Sequence, residues 1–566
     1  MLKIRIPNTL RTRNHVQNPR PIFPENDSMA AVVTAEYARL LSDTFINNAI
    51  VGVFFCIEIR RMAPVCSKEH FGVKGAVTVA LAALLVAVIV GQAAVAGGPM
   101  TPADWQAAAA GDLSAMHDLL RDNSPAMVVA KDSLHFRRWL EEGFALARKD
   151  LSKVQDARGY VFLLKGYATG FRDSHIQVWP TAPAGVSLRR PLAWPGFSIG
   201  YRDGAYTVVY RSTQTADSPS IGAELLGCDG RAVSVLVKER DRYEGDLSLE
   251  SGRFIAAPFL LMEHGNPFVA RPAVCAFRSD GKTRDWTLAW RSAAEAEIEP
   301  ALDASCGRVQ RRLDASVSGE LAWWISIPDM GDTSDWAGFY GKIERNLADI
   351  RAARVVVIDL RGNGGGSSVY GEKLASLLWG DALVAARWPG SGPTVWRASK
   401  ANRDYWVDLT ARMSENPNLS AGDKAAFDSI LKDFDRALAG GEPTFRRGET
   451  GKTRAPAHPP NPVSGRVVLL TDYACDSACL DLMDLFTAMP NTTQAGTMTS
   501  ADTIFMELTV IPSLPSTLSG FGFGHKAWIE RPRPSNRPYR PTRKLTWHGS
   551  PDDDAGERKW LLESLR

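Results

Sequence analysis

The spacing of hydrophobic residues changes along the chain and separates three regions after residue 97. In residues 97–180, apolar positions recur every three or four residues, which is typical of amphipathic helices. The predicted helices span residues 103–120, 133–149 and 160–167. This region therefore predicts a helical domain.

Residues 181–300 show a different pattern, with short apolar pieces between Pro and Gly clusters and no sustained helical period. Strands are predicted at 197–201, 206–210 and 233–237. We expect a small, mostly β module here.

From residue 301 to 566, apolar strands alternate with helical patterns, which favours an α/β domain with a parallel sheet and right-handed crossovers. Strands are predicted at 321–327, 354–360 and 466–472, and helices at 336–350 and 368–378. Residues 387–462 interrupt the alternation with loops and one amphipathic helix at 421–438, and a lid or substrate gate is one interpretation of this insertion. The Pro- and Arg-rich stretch 531–544 contains only one aromatic residue, so we expect an extended segment packed on the sheet, not a nucleic-acid site.

The N-terminal part contains an apolar run at 75–90 that follows Lys68 and Lys74 and precedes Ala-Val-Ala at 94–96. This pattern predicts a secretory signal peptide over 62–96, cleaved after Ala96, with Met62 as the true start and 1–61 as an upstream extension. The alternative is an uncleaved membrane anchor. Either interpretation places the remaining chain in the periplasm or outside the cell.

The overall composition and net charge exclude few classes of protein function. The chain has 566 residues, 45% of them hydrophobic, and a net charge of +3. Its length suits three or four domains. So small a net charge gives no general attraction to nucleic acids or membrane surfaces.

Seven cysteines are present, and Cys56 and Cys66 would be lost with the signal. A disulfide such as Cys275–Cys306 is permissible in an exported protein. Cys475 and Cys479 are interpreted mainly as small packing residues, with a local disulfide as the alternative. Neither a zinc site nor a thioredoxin-like redox protein fits their spacing.

Residues 467–486 form the stretch around which the chemistry is organised: a buried strand at 467–471, a turn at 472–476 and then a helix. Ser477 falls at the start of that helix, where unpaired N–H groups favour negative charge. A hydroxyl there could attack a carbonyl while nearby N–H groups hold the oxyanion. Alternatively, Ser477 or Asp476 simply caps the helix.

Two further motifs could contribute to such a site. The stretch 358–368, IDLRGNGGGSS, opens a strand into a glycine loop that could bind an oxyanion or a peptide backbone. It lacks the residues of a phosphate or dinucleotide loop, and a plain tight turn is the alternative. The second motif is Asp173-Ser174-His175, whose histidine could equally be an ordinary core or surface residue.

The glycine motif, the strand–Ser–Ala–helix stretch and the order of the three regions together resemble the C-terminal-processing and tricorn-type serine peptidase family. The resemblance covers roughly residues 100–550, and the segment at 222–233, GAELLGCDGRAV, resembles part of a PDZ-like domain. It implies a helical region, a PDZ-like β module and an α/β catalytic domain of crotonase/Clp-protease-like type. It also implies a polypeptide substrate and no metal or cofactor.

The family has two catalytic arrangements. One branch uses a Lys base in a stretch after the nucleophile, but Asp502 occupies that position here. The tricorn branch uses a His base with an adjacent Ser and a distant Glu. The resemblance therefore implies Ser477 as nucleophile, His175 as base and Ser174 beside it, with Glu530 as the acid or Glu507 as a second choice.

The resemblance also implies that the N–H groups of Ala478 and of Gly364 or Gly365 bind the oxyanion. The expected activity is hydrolysis of peptide bonds. The alternative is an inactive relative that binds peptides through its PDZ-like module, which remains open because the Lys is missing.

Overall fold

The computed structural model describes residues 100–566, apart from 182–183, 187–190, 216, 293, 308–310, 319–321, 332–334, 389, 391, 416–420 and 449–458. The predicted extension 1–61 and signal peptide or anchor 62–96, with Cys56 and Cys66, lie outside the described residues. Within the described part, no helix is both long and apolar enough to cross a bilayer.

The described N-terminal region contains three α-helices, one strand and two short 3₁₀ turns: α1 (Pro102–Asn123), α2 (Leu134–Asp150), α3 (Ala157–Thr169) and β1 (Gln177–Pro180), with the turns at Pro125–Met127 and Leu151–Lys153. Helix α1 begins at a capping box, in which Thr101 and Asp104 satisfy each other's backbone N–H groups. The helices bury their apolar faces in a shared core. The three predicted helices are confirmed.

A β module follows, with the elements β2 (Ala193–Trp194), β3 (Phe197–Arg202), β4 (Ala205–Arg211), β5 (Glu224–Cys228), β6 (Arg231–Ala232), α4 (Val233–Glu244), α5 (Glu250–Ala256), β7 (Val274–Ser279), β8 (Lys282–Thr287), β9 (Arg291–Ser292) and α6 (Glu295–Cys306). The main sheet has the order β3–β4–β5–β7–β8, with β6 on β5. The strand predicted at 233–237 is wrong, because this segment begins helix α4. Its buried residues Leu236, Arg240 and Tyr243 recur at helical spacing, which outweighs the β-branched valines.

The α/β unit contains β10 (Asp314–Ser318), β11 (Ala322–Ser326), α7 (Trp336–Arg345), α8 (Leu347–Ala352), β12 (Val355–Asp359), α9 (Ser368–Trp379), α10 (Asp381–Arg387), β13 (Thr394–Arg397), α11 (Lys400–Ser414), α12 (Ala421–Ala439), β14 (Thr444–Arg447), β15 (Arg466–Thr471), α13 (Ala478–Thr487) and β16 (Thr492–Gly496). The sheet has the order β10–β11–β12–β15–β16, and β11, β12, β15 and β16 are parallel neighbours. The predicted parallel sheet is therefore confirmed. The helix predicted at 336–350 is interrupted at Asn346, which separates α7 from α8.

A second sheet joins distant parts of the chain. Its central strand β18 (Ser519–Ala527), preceded by β17 (Phe505–Ile511), pairs with β17 along one edge and with β1 and β13 along the other. The insertion thus contributes β13 and β14 to this sheet. Phe505, Phe521 and Phe523 lie in the same hydrophobic core as the N-terminal helices.

The C-terminal stretch after β18 has no helix or strand until a short 3₁₀ turn at Arg543–Leu545, and α14 (Asp554–Ser564) ends the chain. Tyr539 exchanges hydrogen bonds with Thr499, and Arg531 and Arg533 are buried. The stretch is therefore the packed, extended segment that the sequence predicted.

Two disulfides are present among the described residues, Cys228–Cys275 and Cys475–Cys479. The pairing Cys275–Cys306 considered from the sequence is wrong, because Cys275 and Cys228 are direct partners across β5 and β7. The local disulfide, considered only as the alternative for Cys475 and Cys479, is the one observed.

Candidate active site

A cleft of about 470 Å³ lies between the glycine loop and the start of α13 on one side and strands β17 and β18 on the other. Ser174, His175 and Ser477 all line this cleft. Strand β1 begins two residues after His175 and pairs with β18, so the second sheet carries the histidine to the cleft. Residues about 300 positions apart thereby meet at one surface.

Ser477 has an unusual backbone conformation between β15 and α13. Its φ is 54° and its ψ is −123°, a combination that L-residues rarely adopt and that costs about 1–3 kcal/mol. Its side chain makes no hydrogen bond to the helix start. Ser477 therefore stands at the N-cap position but does not cap the helix with its side chain, and its hydroxyl remains available to the cleft.

The glycine loop packs directly against this turn. Gly365 has a φ of 102°, and a Cβ built on it would lie 2.8 Å from the Cβ of Ser477 and 3.1 Å from the N of Ala478. Only glycine fits this close approach. The loop is held from beneath, because Met330 donates its N–H to the Gly365 carbonyl oxygen at 2.9 Å.

Two backbone N–H groups near Ser477 could bind an oxyanion. The N–H of Gly365 is already donated to the Asn363 side-chain oxygen at 2.9 Å. By contrast, the N–H groups of Gly364 and Ala478 have no hydrogen-bond partner among the described residues. Of the two glycines predicted from the sequence, Gly364 is thus the better donor.

His175 is buried, and its Nδ1 lies 3.4 Å from Oδ1 of Asp173. Asp173 is fixed in turn, since it accepts hydrogen bonds from the backbone N–H of His175 at 2.9 Å and from the Thr503 hydroxyl at 2.9 Å. Because Nδ1 faces this carboxylate, Nε2 is the ring nitrogen left for proton transfer in the cleft. Asp173 is thus the carboxylate in contact with the imidazole, at an ion-pair distance and without a hydrogen bond to Nδ1.

The carboxylates around His175 shift its titration. Burial by itself lowers the pKa of the imidazole, but the contact with Asp173 and the nearby charges of Asp502 and Asp476 outweigh burial and raise the pKa of His175 to about 9. Conversely, burial and the Asp502 carboxylate raise the pKa of Asp476 to about 6. His175 is therefore mostly protonated at neutral pH.

The two acids predicted from the sequence, Glu530 and Glu507, are not paired with His175. Glu530 is half exposed, its carboxylate lies 3.9 Å from Arg446, and it does not line the cleft. Glu507 does line the cleft, at a position in β17 with a φ of 58°, but forms an ion pair with Lys526. Neither glutamate has a hydrogen bond or ion pair with His175. Ser174 lines the cleft beside His175, and its carbonyl oxygen accepts a hydrogen bond from the Gln177 side chain at 2.6 Å.

Asp502, which stands where one family branch has Lys, belongs to a buried cluster of charges. It lies 2.9 Å from Arg531 and also contacts Arg533, which lies 3.1 Å from both Asp481 and Asp484. This cluster holds the end of the 496–503 stretch against helix α13. No spacing in the sequence indicated it, because its members lie up to 52 positions apart.

No group of three or more His, Cys, Asp or Glu side chains in the described part of the chain has the geometry to hold a metal ion.

No protein-family model and no curated protein matches the chain. Solved structures do match. The crystal structure of mature CPAF gives a TM-score of 0.50 at 15% identity, over 81% of this chain and 96% of that chain. Mature CPAF complexed with lactacystin also gives 0.50 at 15% identity, over 81% of this chain and 97% of that chain.

The tricorn protease matches with a TM-score of 0.32 at 13% identity, over 81% of this chain and 37% of that chain. The chain therefore has the mixed α/β fold of mature CPAF. The mixed α/β fold that the resemblance implied is confirmed by this likeness to mature CPAF.

Proposed function

We propose that this chain is a serine peptidase in which Ser477 is the nucleophile and His175 the general base. The observation that carries the proposal is the joint placement of both side chains in one cleft, with Ser477 at a strained strand–helix turn beside donors that lack partners. Nucleophile, base and oxyanion donors in one cleft are what acyl transfer requires.

In the proposed mechanism, neutral His175 takes the proton from Ser477 through Nε2 as the hydroxyl oxygen attacks a peptide carbonyl. Asp173 holds the imidazole in the useful tautomer and stabilises the imidazolium that forms. The N–H groups of Gly364 and Ala478 bind the developing oxyanion, and one such donor typically contributes about 3–4 kcal/mol. Imidazolium then protonates the leaving amine, and water releases the acyl group by the same route in reverse.

A polypeptide substrate and an exported location belong to the same proposal. The two disulfides support an oxidising compartment, where such bonds persist. The β module is proposed to bind extended peptide ends in the manner of a PDZ-like domain, by strand addition.

One observation favours a second candidate function, an inactive peptide-binding protein. A base with a pKa of about 9 is mostly protonated at neutral pH and cannot accept a proton from Ser477. A peptide-binding protein would tolerate this charge, whereas a peptidase must lose it at higher pH or when a substrate fills the cleft.

A fluorophosphonate probe, which labels only activated serines, distinguishes the two functions. The purified protein is labelled between pH 7 and 9.5, and the site is located by peptide mass spectrometry. We expect the label on Ser477, with labelling abolished in Ser477→Ala and reduced at least 100-fold in His175→Ala, because the base is lost. A folded wild-type protein that stays unlabelled over this pH range would contradict the peptidase proposal.

A further inference from the structure

A disulfide encloses the proposed nucleophile. Cys475 lies two residues before Ser477 in the turn that follows β15, and Cys479 lies two residues after it in the first turn of α13. Their bond closes a ring over residues 475–479 with Ser477 at its centre. Both cysteines are completely buried in the core of the α/β unit.

Hydrogen bonds also anchor this turn, both before Ser477 and across it. The carbonyl oxygen of Cys475 accepts a hydrogen bond from the N–H of Ser500 at 3.0 Å, and the N–H of Asp476 donates to the Asn363 carbonyl oxygen at 3.2 Å. After Ser477, the chain enters α13 directly. Across Ser477, the N–H of Cys479 donates to the Asp476 carbonyl oxygen at 3.0 Å, and the disulfide is the covalent link between the same two segments.

We propose that the Cys475–Cys479 disulfide is a positioning element that keeps Ser477 in its strained, cleft-facing conformation. This inference rests on the proposed peptidase function. A residue with positive φ relaxes toward commoner backbone angles unless its surroundings hold it. The disulfide supplies that restraint on both sides of the serine.

The Cys475–Cys479 disulfide is poorly suited to stabilising the whole fold by constraining the unfolded chain. Cross-links constrain the unfolded chain more as the loop they close becomes longer. Cys475 and Cys479 are only 4 positions apart, whereas Cys228 and Cys275 are 47 apart. The β-module disulfide is therefore a matched control that has a greater effect on the unfolded chain and no contact with the cleft.

Reduction would release the restraint. A dithiol reductant delivers two electrons and two protons, so the bond between the Cys475 and Cys479 sulfurs breaks, two thiols form and the reductant leaves as its own disulfide. The turn would then keep its hydrogen bonds but lose its covalent ring. Full activity thus requires the oxidised form.

The test compares the full-length wild-type protein with Cys475→Ala/Cys479→Ala and with Cys228→Ala/Cys275→Ala. Active sites are titrated with the fluorophosphonate probe, and kcat and KM for a fluorogenic peptide are calculated per titrated site. We expect the first variant to lose at least tenfold in kcat and in labelling rate, with KM within twofold. We expect the second variant to keep kcat per site within twofold even where its melting temperature falls.

An equal kcat per site and labelling rate in a folded Cys475→Ala/Cys479→Ala variant would overturn the inference. If this variant does not fold, Cys479→Ser breaks the same bond with a smaller loss of volume and is judged by the same criteria. The peptidase proposal is tested by a different result, because it requires the oxidised wild-type protein to be labelled at Ser477. A merely structural role would lower the melting temperature without changing kcat per titrated site.

Discussion

Ser477 and Gly365 form a pair in which each residue's conformation depends on the other. Ser477 has a φ of 54° and Gly365 a φ of 102°, and the glycine has no Cβ to keep the two backbones apart. The nearest atoms to a Cβ on Gly365 belong to Ser477, Asp476 and Ala478. Close packing against Gly365 therefore helps to maintain the strained backbone conformation of Ser477.

Gly365→Ala should abolish activity, because the new methyl group would push against Ser477 and alanine strongly disfavours the positive φ. We expect a loss of at least 100-fold in the rate of fluorophosphonate labelling. Gly111→Ala in helix α1 is the control, since a Cβ there meets no atom within 4 Å and the residue does not line the cleft. Equal labelling rates in the two variants would show that the close approach has no functional role.

His175 carries the pH dependence of the proposed reaction. Its pKa is about 9, and a base must be neutral, so activity should rise as pH increases through about 9. Asp173→Asn removes the carboxylate that favours the imidazolium, while burial, which lowers the pKa, remains. The rising limb of the pH–kcat/KM profile should therefore move to lower pH, with the plateau reduced about 10- to 1,000-fold.

The variant Glu530→Gln tests whether Glu530, and not Asp173, is the acid that orients His175. Glu530 lies beside Arg446 and outside the cleft, so we expect its profile to coincide with that of the wild-type protein. If Glu530→Gln shifts the rising limb of the pH–kcat/KM profile and Asp173→Asn does not, the orienting acid is Glu530 and our assignment of Asp173 is wrong.

At the scale of elements, helix α13 is joined to the C-terminal segment by buried charges. Arg533 contacts Asp481 and Asp484 on the helix and Asp502 in the 496–503 stretch, and all four side chains are mostly or fully buried. Buried charges are tolerated only when paired, so these contacts fix the position of the helix that begins at the nucleophile.

Arg533→Ala should lower the free energy of unfolding by about 3–5 kcal/mol, because it leaves buried carboxylates without their partner. Arg540→Ala is the matched control in the same segment. Arg540 is exposed and pairs with Glu250 at 2.9 Å, so its loss should cost no more than about 1 kcal/mol. Urea unfolding measures the free energy of unfolding of both variants. Similar unfolding midpoints for the two variants would contradict the role assigned to the buried cluster.

At the scale of the whole molecule, the site depends on one strand pairing between the two ends of the described chain. Trp179 of β1 lies opposite Gly520 of β18, and a Cβ on Gly520 would lie 2.3 Å from the Trp179 indole nitrogen. This pairing sets the position of His175, which is only four residues before Trp179. The catalytic proposal therefore requires β1 and β18 to stay in register.

Gly520→Val should displace β1 and separate His175 from Ser477, lowering kcat/KM at least 100-fold while leaving Ser477 and its turn unchanged. Trp179→Ala in the same protein removes the indole that the new side chain would meet, so the double variant should regain part of the activity. A Gly520→Val protein with wild-type kcat/KM would contradict the dependence on this pairing.

Much of the fold and part of the site could be predicted from local patterns. The strands that precede the glycine loop and Ser477, and the three N-terminal helices, follow from the pattern of apolar residues alone. Val233–Glu244 was missed because its valines favour a strand, while the burial of Leu236 and Tyr243 that stabilises the helix comes from packing. The partner of Cys275 was missed because strand register, which places Cys228 opposite, is not visible in the sequence.

The sequence by itself determined that Ser477 begins a helix after a buried strand and that a glycine loop precedes it, because strands, turns and helix starts follow from neighbouring residues. Only the tertiary structure decided that Asp173 faces His175, that the Gly364 N–H has no partner among the residues the structure describes, and that a disulfide closes around Ser477. Thr503 and Asp173 are hydrogen-bonded across 330 positions. Such contacts depend on how strands pair and layers pack, and local propensity carries no information about them.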